Sequence, residues 1–158
     1  MKNILKNKLH SHGTYIHIKY NENDLYQLSK LYNSESHTWL KTIPLEDLHT
    51  TIIHSNVGNK SSESESKEVD FEVEVHGFEL LGKENEFIVA SVHSKELRDM
   101  QSELTEKYNF VSDFPEYKPH ITVGKISTGS EQYISVPVPI VLRATRIVVE
   151  PLNPDFKY

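Results

Sequence analysis

Two segments of this chain carry the same arrangement 71 residues apart, around positions 49 and 120, and any fold has to accommodate both. In Pro115-Glu116-Tyr117-Lys118-Pro119-His120-Ile121-Thr122-Val123-Gly124-Lys125, Pro119 disfavours a helical Lys118, so the chain arrives extended. Ile121 and Val123 then alternate with His120 and Thr122, the period of a half-buried strand. On such a strand the imidazole and the hydroxyl leave from one face, two residues apart. Pro44-Leu45-Glu46-Asp47-Leu48-His49-Thr50-Thr51-Ile52-Ile53 repeats the device, with His49 and Thr51 on one face and Ile52 turned away. Each histidine follows its proline, Pro44 or Pro115, by five residues.

Chance accounts for little of this. Nine histidines, each followed two places on by threonine at a frequency of roughly 6%, give about half an H-x-T match. A third copy, His12-Gly13-Thr14, precedes a strand rather than lying in one and is read as the chance match. The other two agree in spacing, strand context and upstream proline, which marks them as an internal repeat and as candidate functional sites.

The rest of the chain supports the duplication. Thr14 to Tyr20 reads as a strand with Ile16, Ile18 and Tyr20 toward a core and Tyr15, His17 and Lys19 on the other face. Asn21 or Asn23 can cap a following helix bearing Leu25, Leu28, Leu31 and Tyr32. A polar loop then leads through Trp39 to the His49 strand, flanked by His37 and His54, which read as surface or loop histidines. Gly58 to Glu68 is a low-complexity, serine- and glutamate-rich loop. Val69, Phe71, Val73 and Val75 alternate as a strand, with Gly77 permitting a bulge.

Glu86 to Val92 is again a strand, Ser94 a cap, and Leu97, Met100, Leu104 and Tyr108 a helical stripe before the His120 strand, which Gly124 is expected to end. Tyr133 to Val136 and Ile140 to Glu150 supply the last strands, and Pro137 and Pro139 suggest an edge there. Strand, helix, proline, H-x-T strand is therefore written twice, over 14–56 and 86–127. The expected fold is α+β, a single domain over 1–158 with two pseudo-symmetric lobes, each an antiparallel sheet packed on a helix. A pseudo-two-fold axis would bring His49, Thr51, His120 and Thr122 around one central groove.

Composition narrows the partners. A length of 158 residues suits one core, and no apolar run approaches a membrane span. Met1 to Leu9 has positive charge but no apolar h-region, so it is not read as a secretory signal. Cysteine is absent, which removes thiolate metal sites and fits a cytoplasmic protein. A net charge of −6 argues against a long nucleic acid as partner, while leaving room for a small anionic ligand.

Free imidazole has a pKa of about 6.5, so one ring can be neutral and its partner protonated near neutrality. Such a pair can take a proton from an attacking hydroxyl and give one to a leaving oxygen, while threonine hydroxyls donate to oxygens gathering charge. Phosphodiester cleavage needs these parts without a cofactor or a metal. Two histidines are too few for catalytic zinc, unless His17 or His76 supplies a third ligand.

Two strand-borne H-x-T motifs in a duplicated α+β chain resemble the 2H phosphoesterase superfamily, over Thr14 to Phe156. Within it the chain looks most like the phage anti-CBASS phosphodiesterases, on Gly13-Thr14-Tyr15-Ile16, Glu116-Tyr117-Lys118-Pro119-His120-Ile121-Thr122 and Val149-Glu150-Pro151-Leu152. That resemblance implies metal-independent hydrolysis of cyclic di- and trinucleotide messengers, in the host cytoplasm if the protein is viral. It implies ligand roles for Tyr15, which would stack on or bond the nucleotide, for Glu116 and Glu150, and for Phe156 as a closing aromatic. Each also has a packing or loop reading. Competing functions are a 2H enzyme acting on RNA ends or 2′,3′-cyclic phosphates, and a non-catalytic protein that sequesters a nucleotide.

Overall fold

The computed structural model describes residues 13–33, 39–55, 65–108, 116–126, 136 and 139–151. His37, Phe156 and most of the segment expected as a strand over Tyr133 to Val136 lie outside them. The elements are β1 (Thr14–Tyr20), α1 (Glu22–Tyr32), β2 (Leu40–Thr42), a 3-10 turn (Leu45–Asp47), β3 (Thr50–Ser55), β4 (Glu65–Leu81), β5 (Phe87–His93), α2 (Lys95–Tyr108), β6 (His120–Ile126) and β7 (Ile140–Pro151). Asn21 caps α1, its side chain accepting from the Asp24 amide at 3.1 Å, and the Ser94 hydroxyl accepts from the Leu97 amide at 3.2 Å. Among the described residues no helix is long and apolar enough to cross a membrane.

All strand pairs are antiparallel, in the order β2-β6-β3-β1-β7-β4-β5, and β5 also pairs with β6, so the ladder returns on itself. The duplication is visible in the pairing. β1 lies between β3 and β7, and β5 holds the equivalent place between β6 and β4. One apolar core runs through both halves, joining Ile16, Ile18, Leu28 and Ile52 to Val73, Ile88, Leu97, Ile121 and Leu142. The α+β class and the two-lobed plan expected from the sequence are present.

Three expectations are corrected. Residues 65–68 are not loop; Glu65 to Glu68 pair with Val149 to Arg146 as the start of β4. Backbone pairing requires no apolar side chain, and these four positions are exposed, so the polar pattern hid a strand. The segment after Pro139 is not an edge, because β7 is bonded by β1 on one side and β4 on the other. The proline precedes the first paired residue, Ile140, and so removes no ladder donor. Gly124 does not end β6 but lies inside it, opposite Thr42 and Ile88.

The last correction has a steric cause. A Cβ on Gly124 would stand 2.6 Å from the Lys41 carbonyl oxygen and 2.7 Å from a Leu40 methyl carbon, so the close approach of β2 requires glycine there. Gly124→Ala is expected to lower stability by about 1–3 kcal/mol, the usual range for overpacking. A urea melt with an unchanged midpoint would contradict this.

Candidate active site

β3 and β6 meet through one residue pair, Thr50 with Ile121. These are the middle residues of the two H-x-T motifs, so the antiparallel register sets His49 opposite Thr122 and Thr51 opposite His120. The local pseudo-two-fold passes between the motifs. The same irregularity follows each of them. Between Ile16–Ile53 and His17–Thr51 the ladder skips Ile52; between Ile88–Gly124 and Val89–Thr122 it skips Val123. Each bulge falls one residue after the motif threonine. Such bulges bend the strand and re-aim neighbouring side chains.

The two imidazoles are oriented alike. His49 Nδ1 lies 2.7 Å from the Asp47 carbonyl oxygen, and His120 Nδ1 lies 2.7 Å from the Lys118 carbonyl oxygen. A carbonyl only accepts, so each Nδ1 carries a proton and donates. Each neutral ring therefore has its acceptor lone pair on Nε2. Tyr117, in the segment leading into β6, ties the halves together by donating to the Thr51 carbonyl at 3.0 Å.

What β1 and β5 set beneath the motifs breaks the symmetry. The equivalent pairings match Tyr15 with Phe87 and His17 with Val89. Tyr15 Oη is 2.6 Å from His49 Nε2 and 3.1 Å from Thr51 Oγ1. Because Nδ1 holds the only proton of a neutral ring, Tyr15 donates to Nε2. The His17 ring stands 5.2 Å from that of His49 and 4.9 Å from that of Tyr15. Its Nδ1, buried without a hydrogen bond, is 3.8 Å from a Glu150 carboxylate oxygen, too long for a hydrogen bond.

This setting disfavours protonation of His17 and His49. Burial pushes His17 down to about 3, and the neighbouring His49 and Lys19 add to the shift. Burial also lowers His49, and Lys19 and His120 nearby work in the same direction, against the Asp47 carbonyl bond. Burial raises the Tyr15 hydroxyl to about 12, so it stays protonated.

The remaining sequence candidates fall as follows. Thr122 is half-buried on β6, Glu150 is on β7 beside Tyr15, and Glu116 is exposed in the bend before β6. His54 is not a loop histidine; it pairs with Tyr15 across β1 and β3 and packs edge-on against that ring at 6.1 Å. His76 sits with Glu74 and His93 on β4 and β5. Among the described residues no three histidine or acidic side chains form a metal-holding set. Sequence reasoning considered His17 beside the motif histidines only as a third metal ligand, and not as a neighbour that sets their protonation. The polar face of β1, Tyr15-His17-Lys19, was the available signal, because polar residues that recur at period two on a strand buried at every position but Lys19 need a reason.

The fold is similar to two solved structures. The protein TT0787 of Thermus thermophilus matches with a TM-score of 0.62 at 12% identity, covering 86% of each chain. A second, described as a phosphoesterase, matches with a TM-score of 0.55 at 9% identity, again covering 86% of each. A comparison with curated protein sequences gives no match. These likenesses place the fold in the α+β, 2H phosphoesterase-like class. Over residues 12–158 the sequence matches the family of the anti-CBASS protein Acb1, and the chain belongs to that family. The family's description gives an action against CBASS, and the fold is one that a described phosphoesterase shares.

Proposed function

We propose that this protein is a phosphodiesterase that opens small cyclic oligonucleotide messengers in the host cytoplasm, with His49 as general base and His120 as general acid. The observation that carries the division of roles is the 2.6 Å bond from Tyr15 to His49 Nε2. A nitrogen that accepts a hydrogen bond has an unprotonated lone pair, which is what a base needs. His120, held by the same Nδ1 lock, is left to protonate the leaving oxygen. Thr51 and Thr122, set opposite His120 and His49 by the strand register, have hydroxyls that can donate to the non-bridging oxygens of a phosphodiester. Glu150, Glu116 and Phe156 are proposed ligand contacts on the family resemblance.

A small substrate suits the charge. The net charge of −6 and the glutamate-bearing start of β4, paired to the strand that carries Glu150, disfavour a polyanionic chain. The test is incubation with cyclic dinucleotides, cyclic trinucleotides and 2′,3′-cyclic mononucleotides in EDTA. Cleavage of a cyclic di- or trinucleotide is expected to survive chelation. Turnover that disappears in EDTA and returns with zinc or magnesium would reject the two-histidine mechanism. Cleavage confined to the 2′,3′-cyclic mononucleotides would move the protein to the RNA-end class, and binding without cleavage to the sequestering class.

A further inference from the structure

The acceptor nitrogen of His49 already has a donor. With Nδ1–H committed to the Asp47 carbonyl at 2.7 Å, a neutral imidazole has one lone pair left, on Nε2. The Tyr15 hydroxyl holds that lone pair at 2.6 Å, and the phenol is itself 3.1 Å from Thr51 Oγ1. A substrate hydroxyl can reach Nε2 directly only by breaking the Tyr15 bond. The phenol is poorly placed to leave: Tyr15 is 6% exposed, on a strand paired on both sides, with its ring against His17 and His54.

From this geometry we infer that Tyr15 is a catalytic proton relay, standing between the attacking hydroxyl of the substrate and His49. The inference rests on the phosphodiesterase reading above and deepens it. As the nucleotide binds, Thr51 turns its hydrogen to a non-bridging phosphate oxygen, and the Tyr15 oxygen accepts from the substrate hydroxyl. In the reacting step the substrate O–H bond breaks and its proton passes to Tyr15 Oη. The original Tyr15 proton passes to His49 Nε2, and the resulting imidazolium is held by the Asp47 carbonyl. The freed oxygen forms its bond to phosphorus, the bond to the departing oxygen breaks, and His120 supplies that oxygen's proton. No phenolate accumulates, in keeping with a hydroxyl whose acidity burial has weakened. The second lobe, with Phe87 at the equivalent place, has no such relay, in keeping with an acid that hands its proton on directly.

Tyr15→Phe removes the hydroxyl and keeps the ring, so it separates the relay from base stacking. On the best cyclic substrate of the panel, kcat is expected to fall by roughly 10², the lower end for a positioned proton-transfer group, with KM and melting temperature nearly unchanged. The solvent deuterium inventory should fit three protons in flight for the unaltered protein, two through the relay and one from His120, and two for Tyr15→Phe. Fluorotyrosines at position 15, which alter phenol acidity without altering shape, should grade kcat. A Tyr15→Phe variant with undiminished kcat, or a rate insensitive to fluorination, would show that the phenol is pushed aside, and the relay is then wrong. Should the unaltered protein cleave nothing in the panel, the phosphodiesterase reading falls first and the relay with it. If His49→Ala is inactive while Tyr15→Phe is not, only the relay falls.

Discussion

Replacing His49 or His120 with alanine is expected to lower the rate by about 10²–10⁴ for either residue, the usual worth of a general acid or base. The double variant should be scarcely worse than the weaker single, since the two rings serve one displacement and their losses do not add. His54→Ala serves as the comparison: its ring touches Tyr15 edge-on at 6.1 Å but lies outside the proton path, so its loss should be much smaller. Equal losses at positions 49 and 54 would show that the wrong histidines have been chosen. Rate against pH should be bell-shaped, with limbs that belong to the pair. Since burial lowers His49 and the base must be unprotonated, the limb on which activity rises with pH should lie below the ordinary imidazole value of about 6.5. A rising limb above that value would contradict the buried, neutral state of His49.

Cyclic substrates with deoxyribose at every sugar should bind and resist cleavage. In a 3′-5′-linked cyclic ribonucleotide the 2′-hydroxyl is tethered beside the scissile phosphorus. Tethered attack gains roughly 7–11 kcal/mol over a bimolecular step when the geometry is right. A water nucleophile has no such advantage and needs its own binding site. The first product should therefore carry a 2′,3′-cyclic phosphate, with the 5′-oxygen as the group that leaves. Competition by the all-deoxy analogue, read as inhibition without turnover, is the expected result. Cleavage of that analogue at a comparable rate would make water the nucleophile and reject this step.

Much of the fold is legible in the sequence because its signals are local. Proline before a strand, alternation around His120 and Thr122, an asparagine or serine ahead of a helical stripe, and the 71-residue offset all act through neighbours in the chain. They identify the duplicated strand-helix-strand plan and the two H-x-T faces. Where local reading failed, a partner strand was responsible. Glu65 to Glu68 became strand because β7 offered backbone bonds, and Gly124 stayed within β6 because β2 comes too close for any side chain.

The sequence by itself determined that two identical histidine-threonine pairs would be presented from strands, and hence that proton transfer to and from one small ligand was the chemistry to look for. It could not tell the two histidines apart, since their motifs are the same. That distinction belongs to the tertiary structure. β1 brings Tyr15 to His49 across 34 positions of sequence, with His17 beside it, while β5 sets Phe87 and Val89 in the equivalent places. Proton affinity depends on burial and on the nearest donors and charges, and strand pairing, not chain proximity, decides which those are.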